Sequence, residues 1–324
     1  MKAAETTVQS RRQGVGSRLV AVRDRLWRWL PDDIDRRVRV IAWLSLVFQV
    51  VLIGTGGAVR LTASGLGCPT WPQCIEGSFV TTPEMGLHGI IEFGNRLLTF
   101  VLAAITILAF LFVIKYRKAR PELFRLTLAQ GLSIPFQAVL GGITVLTGLN
   151  PYVVGAHFAV SIVLVVVTTV LVWRVNYGPA GAAMLVPHWY RAVSLVTALA
   201  VLVTVVVGIL TTGSGPHAGD NSNPDKPAPR NGLDPELLQH VHSWPAYVTF
   251  GLTVLLVVAA LWLALPRRWM LTLLAVEVVQ IAVGITQARL GLPELLVGIH
   301  MVLAGALVAA MTAALLSQRA RATL

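Results

Sequence analysis

The stretch Gly148–His157, GLNPYVVGAH, returns later in the chain as Gly291–His300, GLPELLVGIH. The spacing from the first glycine to the histidine is the same in both copies, and a Gly-Ile-Thr segment precedes each of them. Two further segments also match, Thr62–Gly65 (TASG) and Thr212–Gly215 (TGSG). Similarity that recurs in order along a chain indicates an internal duplication, so we expect two copies of one structural unit.

The composition predicts a protein that lies mostly in a membrane. Of the 324 residues, 55% are hydrophobic and only 13% are charged, whereas soluble domains carry about 25% charged residues. Runs of about 20 apolar residues, long enough to cross a bilayer, recur along the sequence. The predicted spans are about 40–60, 88–114, 126–147, 152–174, 190–212, 238–264, 269–288 and 294–316.

The basic residues predict the orientation of these spans. The net charge of +11 could suit nucleic acid, but the Lys and Arg residues fall mostly in short segments between apolar runs, so we expect no nucleic-acid partner. Positive segments remain in the cytoplasm. Both termini and the even-numbered loops are therefore expected inside, and loops 61–87 and 213–237 outside. The basic N-terminal arm is interpreted as a solvated tail, with affinity for anionic lipid as the alternative.

The duplication and the orientation together predict the architecture. Each unit holds four spans, an even number, so both copies enter the membrane in the same direction and are related by an axis along the membrane normal. We predict an all-α membrane protein with eight transmembrane helices arranged as two parallel-repeat four-helix bundles. The predicted regions are a cytoplasmic arm (1–39), a first half (40–176), a second half (177–317) and a cytoplasmic tail (318–324).

Three histidines, His157, His242 and His300, lie within apolar spans, where an ionisable side chain is costly and usually functional. Each sits four to seven residues past the outer end of its span, which corresponds to a depth of roughly 6–10 Å. His242 and His300 come from parallel helices at nearly equal depth, the arrangement in which two imidazoles grip one haem iron. The alternatives are hydrogen-bonded structural histidines and, with less support, a zinc site.

The other histidines carry weaker signals. His188 is expected to be structural, and His217, in a polar outer loop, to be solvated. His240 projects about 200° away from His242 around the helix, so the two cannot face one iron. His88, at the start of the second span, is either an interfacial residue or a contact where a ligand enters.

Glu92 and Asn95 lie on one face of the second span, about one turn from its start. Glu92 either pairs with Arg96 or a backbone group, or it accepts a proton beside a cofactor. Glu277, nearer the cytoplasmic end of the seventh span, is interpreted as structural.

Cys68 and Cys74 share the first outer loop and are the only cysteines in the chain. Because the outer side of the membrane is oxidising, a disulfide is expected between them. The bond could serve only to staple the loop, or it could have a redox or covalent role. The second half has no counterpart.

Taken together, these motifs resemble those of the haem A synthase family of cytochrome oxidase assembly, from the first span to the eighth. The segments that carry the resemblance are Gly65–Cys74, Ile90–Arg96, Ala156–Phe158, Thr212–Asp220, His242 and His300. The resemblance implies oxidation of the C8 methyl of haem O to a formyl group. It also implies contact with haem O synthase and the oxidase assembly machinery.

The resemblance also assigns roles to single residues. His242 and His300 match the axial ligands of a resident haem b, and His157 matches a ligand of the substrate haem. Glu92 matches the essential carboxylate, and Cys68 and Cys74 match the outer-loop cysteine pair.

One position departs from the family pattern. Members often carry a histidine where this chain has Asn95, and Asn is a poor haem ligand. His88 is seven residues away, roughly 10 Å along the helix, and cannot substitute. We therefore expect a five-coordinate substrate haem held by His157, with an open face toward Glu92 and Asn95.

Two other classes of protein remain as alternatives. A b-type cytochrome that exchanges electrons with a quinone would need His242 and His300 but not Glu92 or the cysteines. A transporter would also explain the repeats, but the histidines lie near the outer face rather than the membrane centre.

Overall fold

The computed structural model describes residues 20, 21, 23–25, 27–220 and 227–322. In this part of the chain, eight helices are long and apolar enough to cross a membrane, so the predicted spans are confirmed. Two short 3-10 turns, Pro83–Met85 and Ile114–Tyr116, extend the second helix at its ends. The helices are α1 Arg36–Leu61, α2 Gly86–Val113, α3 Pro121–Leu146, α4 Pro151–Tyr177, α5 His188–Ser214, α6 Pro235–Trp262, α7 Arg268–Arg289 and α8 Glu294–Leu316.

The helices pack in the same neighbour pattern in each half of the chain. In the first half α1 contacts α2, α2 contacts α3, α3 contacts α4, and α4 returns to α1. In the second half α5, α6, α7 and α8 form the same closed sequence of contacts. The two groups meet where α8 packs on α1 and α4, and where α4 packs on α5. The predicted helical membrane fold with eight spans is therefore confirmed.

Small residues allow α1 and α8 to approach closely at the junction between the groups. A Cβ added to Gly54 would lie 3.0 Å from Val302 Cγ2, and one added to Gly57 would lie 3.1 Å from Met301 Sδ. In a bilayer, helix association depends on such close van der Waals packing because lipid removes the hydrophobic drive. Gly54 and Gly57 therefore bring the two groups together along the C-terminal half of α1.

The turns between α3 and α4 and between α7 and α8 have matching backbone geometry. Gly148 and Leu149 have φ values of 59° and 63°, and Gly291 and Leu292 have φ values of 75° and 63°. The second residue of each pair donates its N–H to a carbonyl five residues earlier, at 2.8 Å in both turns. A left-handed residue closing a helix in this way releases the chain for an antiparallel neighbour. The repeated sequence stretch thus has a repeated backbone.

The two long loops between α1 and α2 and between α5 and α6 are joined to each other beyond the helix ends. Ser64 and Asp220 form an isolated β-bridge, and Gly65 donates its N–H to the Gly219 carbonyl at 2.8 Å. Arg60, in the last turn of α1, donates to the carbonyls of His217 and Thr212 at 2.8 and 2.9 Å. The loop of the first half is therefore anchored on the loop of the second.

At the end of the bundle opposite these loops, a short strand pair connects the α4–α5 loop with the segment after α8. Strand β1 (Ala180–Met184), between α4 and α5, pairs antiparallel with β2 (Arg319–Arg321), which follows α8. The sequence did not predict these strands. Residues 1–19, 22 and 26 of the predicted N-terminal arm, residues 221–226 of the second outer loop and residues 323 and 324 of the predicted tail lie outside the described residues.

Candidate functional site

His242 and His300 face each other across the second helix group. They are the eighth residue of α6 and the seventh residue of α8, so their depths match as predicted. Their ring centroids are 6.2 Å apart and the ring planes are inclined by 73°. A metal–imidazole bond is about 2 Å long and the nitrogen lies about 1 Å from its ring centroid, so two axial imidazoles on one iron have centroids about 6 Å apart. The observed separation therefore fits bis-histidine ligation.

A glycine on the neighbouring helix makes room for each of these rings. A Cβ added to Gly208 on α5 would lie 2.8 Å from His242 Cε1, and one added to Gly284 on α7 would lie 3.1 Å from His300 Cε1. A methyl group at either position would push the imidazole away from its place. The glycines thus fix the position of the two rings from outside the site.

Each histidine of the pair has a buried ring nitrogen without a partner in the described residues, which points to a bound group. The Nδ1 atoms of His242 and His300 are buried and make no hydrogen bond within the described residues. Buried polar atoms are normally paired, and exceptions call for an explanation. The described residues contain no cluster of three or more His, Cys, Asp or Glu side chains that could hold a metal ion. A haem iron needs only two axial ligands from the protein, so this donor set suits haem rather than tetrahedral zinc.

His157 is supported in the first helix group as His300 is in the second. Its Cε1 would lie 3.3 Å from a Cβ added to Gly141 on α3. Gln137 Nε2 donates to the His157 carbonyl at 3.3 Å, and Gln280 Nε2 donates to the His300 carbonyl at 3.2 Å. Both halves therefore keep a glycine and a glutamine on the helix before the histidine.

The position that corresponds to His242 is different in the first half. Asn95 Oδ1 accepts a hydrogen bond from Thr55 Oγ1 on α1 at 2.8 Å. The glycine that makes room for His242 has no counterpart either. Thr62 Oγ1 donates to the carbonyl of Ala58, and Thr212 Oγ1 donates to the carbonyl of Gly208, so Ala58 occupies the position that corresponds to Gly208. No hydrogen bond or ring contact in the described chain joins Asn95 to His157. The first half thus has one histidine where the second has two.

Glu92 is hydrogen-bonded to the loop between α1 and α2. The residue is 5% exposed, and its Oε2 accepts the Cys68 N–H while its Oε1 accepts a hydrogen bond from Arg96 Nη2 at 2.6 Å. Arg96 also donates to the carbonyls of Cys68, Thr70 and Gln73. An ion pair with most of its hydrogen bonds satisfied is the form in which a buried charge persists. Of the two sequence-based readings of Glu92, the pairing with Arg96 is therefore observed.

The outer loop carries the predicted disulfide between Cys68 and Cys74, which is confirmed, and both cysteines are buried. Between them, the loop lays the Trp71 indole on α3, where a Cβ added to Gly142 would overlap the ring. Gly142 follows Gly141, the residue against which His157 lies. The loop therefore joins Glu92 on α2 to the part of α3 that supports His157.

Three other polar residues that the sequence singled out have local partners. The sequence predicted a solvated His217, but its Nε2 lies 2.9 Å from the Leu292 carbonyl and the residue is half-buried, because the outer loop folds onto the α7–α8 turn. His88 is exposed, and its Nδ1 lies 2.9 Å from Ser64 Oγ. Glu277 is buried and accepts Thr253 Oγ1 at 2.8 Å.

Sequence reasoning missed several supporting residues. It treated Arg96 as one partner of Glu92, not as the residue that holds three loop carbonyls. It did not use Trp71, Gln137, Gln280 or Gly208. The spacing of Gln137 and Gln280 from their histidines could have revealed the glutamine pair, because both lie 20 residues before the histidine they support.

Comparison with known proteins identifies relatives of the chain. The COX15-CtaA family profile, described as "Cytochrome oxidase assembly protein", matches residues 39–312. Three proteins named "Heme A synthase" are similar to parts of the chain. That of Listeria welshimeri is 30% identical over 127 residues, covering 39% of this chain and 41% of its own. That of Geobacillus thermodenitrificans is 26% identical over 168 residues, covering 51% and 52%. That of Alkalihalophilus pseudofirmus is 28% identical over 145 residues, covering 44% and 48%. The chain thus spans about half the length of these curated relatives or less.

Proposed function

The chain belongs to the COX15-CtaA family of cytochrome oxidase assembly proteins, and from this premise we propose that it is a membrane-bound haem A synthase. The reaction would oxidise the C8 methyl of haem O, the substrate, to a formyl group, with water supplying the oxygen atom and with four protons and four electrons leaving, the electrons passing to an external acceptor. The observation that carries the proposal is the inequality of the two sites. The second pairs His242 with His300, whereas the first combines a single His157 with Glu92 and a disulfide loop.

In this proposal the second half holds a resident haem b. His242 and His300 would be its axial ligands, and the ring separation of 6.2 Å supports that assignment. Bound there, haem b would supply one-electron redox chemistry. Gly208 and Gly284 would keep the two imidazoles from drifting, so that the protein fixes the coordination distance before haem arrives.

The first half would hold the substrate. His157, set against Gly141, is its proposed ligand, and Asn95 would leave the other face open. Glu92, held as a carboxylate in its ion pair with Arg96, would take up a proton released as the methyl is oxidised. Arg96 would orient Glu92 through its bonds to the carboxylate and to the loop carbonyls. The closed Cys68–Cys74 loop would exclude water from above.

We further propose that both termini are cytoplasmic and that the haem sites lie near the outer face. The basic segments support this orientation through the positive-inside rule. The two structural units would be residues 40–176 and 177–317, a parallel repeat with a cytoplasmic arm before it and a short tail after it. The matching helix contacts of the two groups support this division. Haem O synthase and cytochrome oxidase assembly proteins are the expected partners.

An electron-transfer b-type cytochrome is the second candidate. The His242–His300 pair by itself would suit that role. Such a protein would have no need for a buried carboxylate bonded to a disulfide loop in the other half. We therefore favour the enzyme.

The deciding experiment is extraction and chromatography of haems from cells with and without the gene. If the chain is the enzyme, cells that lack the gene accumulate haem O and contain no haem A, and the restored gene returns haem A. An unchanged haem profile, together with a normal b-haem spectrum of the purified protein, would favour the cytochrome.

A further inference from the structure

A cavity of about 320 Å³ lies at the end of the bundle opposite the histidines. It opens between α4 of the first group and α5 and α8 of the second, under the β1–β2 strand pair. Four arginines contribute to its walls, together with two aromatic side chains. These six residues are Arg174, Arg191, Arg319, Arg321, Trp173 and Tyr177.

No ion pair within the described residues neutralises the charge of this arginine cavity. None of its four arginines is among the ion pairs of the described residues. Glu122, which reaches this end of the bundle, is bound by the guanidinium of Arg120, whose Nη2 also donates to the Arg174 carbonyl. Like charges held close together repel each other, and the repulsion grows where lipid and protein exclude water. The cavity is therefore suited to an anion.

The arginines differ in how firmly they are held. Arg191 donates to the Leu315 carbonyl at 2.9 Å and to Gln318 Oε1 at 3.0 Å, so it also supports the end of α8. Arg321 lies 4.5 Å above the Tyr177 ring. Arg174 and Arg319 make no side-chain hydrogen bond within the described chain. These two guanidiniums keep their donors available for a ligand.

The surroundings favour the headgroup of a phospholipid over a free anion. Guanidinium groups present a planar fork of donors that matches phosphate oxygens. Val166 and Leu316 add apolar walls to the cavity, against which acyl chains would pack. Trp173 and Tyr177 are the residue types that collect at headgroup depth. Basic pockets between transmembrane helices on the cytoplasmic side are typical sites for anionic lipid heads.

We propose that the arginine cavity binds the phosphate headgroup of an anionic phospholipid. Because α4 belongs to the first helix group while α5 and α8 belong to the second, the bound lipid joins the two groups at the end away from the haem sites. This site is independent of the haem reaction and would exist in either candidate function.

The test uses the full-length protein in nanodiscs of phosphatidylcholine, with and without phosphatidylglycerol. Phosphatidylglycerol is expected to raise the Tm of the unchanged protein by about 5 °C, because a ligand that binds only the folded state stabilises it. The double variant Arg174→Gln with Arg319→Gln should lose this shift. The matched control is Arg117→Gln with Lys118→Gln, which removes the same charge from exposed residues of the α2–α3 loop and should keep the shift.

Three results would overturn the proposal. One is an equal shift in the glutamine double variant and the unchanged protein, since the effect would then be general surface attraction. Another is no shift in any variant. The last is an equal rise of Tm with millimolar inorganic phosphate in phosphatidylcholine alone, because the ligand would then be free phosphate.

A second measurement covers the case in which the glutamine variant does not fold. Native mass spectrometry of the unchanged protein should detect a retained phosphatidylglycerol. The variant Arg174→Lys with Arg319→Lys keeps the charge but loses the fork of donors, and its retained lipid should fall about tenfold. Retention equal to that of the unchanged protein would contradict the role of the two guanidiniums.

Discussion

The two helix groups have the same pattern of helix contacts, but different side chains line their candidate sites. Both keep a glycine and a glutamine before the histidine of their fourth helix, Gly141 and Gln137 for His157 and Gly284 and Gln280 for His300. The second helices of the two groups differ, because the first half has Asn95 at the position that corresponds to His242 in the second half. The first helices differ as well. Gly208 makes room for the His242 ring, and the corresponding residue of the first half is Ala58.

The two halves therefore differ in the side chains of their candidate sites more than in their helix contacts. A glycine that accommodates an imidazole has no use where the imidazole is absent, so the two differences belong together. Glu92, Arg96 and the disulfide loop lie in the first half, and the described part of the second half has no such set. In the proposed function, the half with the His242–His300 pair would retain a haem, and the half with His157 alone at the matching positions would act on one.

The largest expected effect is the loss of the resident haem. His242→Ala or His300→Ala should reduce the b-haem absorbance of the purified protein by more than about tenfold, because one axial imidazole alone holds the iron weakly. His240→Ala, which changes an exposed histidine two residues away, is the control and should leave the spectrum unchanged. A normal spectrum in His242→Ala would break the assignment of the second site.

Glu92→Gln should next abolish conversion while sparing the second half. We expect haem A production to fall about 10²- to 10⁴-fold, the range for a lost acid–base group, with haem O accumulating and the b-haem spectrum intact. Glu84→Gln, at an exposed carboxylate just before the same helix, should retain activity. Haem A production that survives in Glu92→Gln would remove the carboxylate from the mechanism.

The open face of the first site can be closed by copying the second half. In a His242→Ala background, the double variant Asn95→His with Ala58→Gly should convert bound substrate haem to a low-spin six-coordinate spectrum. The His242→Ala protein alone should give a high-spin spectrum with haem O. If the parent is already low-spin, the first iron has a second ligand and the five-coordinate expectation is wrong.

The smallest expected effect is a graded series at the three glycines. A Cβ would lie 2.8 Å from His242 for Gly208→Ala, 3.1 Å from His300 for Gly284→Ala and 3.3 Å from His157 for Gly141→Ala. We expect haem b affinity to fall most for the first, less for the second and not at all for the third. Gly251→Ala, on α6 with nothing within 4 Å, is the control and should not weaken binding. Equal affinities across the series would mean that the rings are not positioned by these glycines.

The sequence predicted much of this protein because a bilayer imposes strict rules. Helix number, span limits and the disulfide follow from apolar length and from a single pair of cysteines on one loop. The matched depth of the three histidines follows from their spacing within the spans and from the repeat. Local partners were harder to predict, and His217 was wrong because its loop folds back onto the α7–α8 turn.

By itself, the sequence predicted eight membrane-spanning helices, which the structure confirms, and it suggested which residues would serve the two proposed haem sites. Hydropathy and spacing are local properties of the chain, so they can be read from the sequence without knowledge of the fold. Only the tertiary structure shows that the ring centroids of His242 and His300 are 6.2 Å apart. It alone brought Glu92 to the Cys68 N–H and gathered four arginines under a strand pair. Those arrangements depend on helix contacts between residues far apart in the chain, and no local pattern encodes such distances.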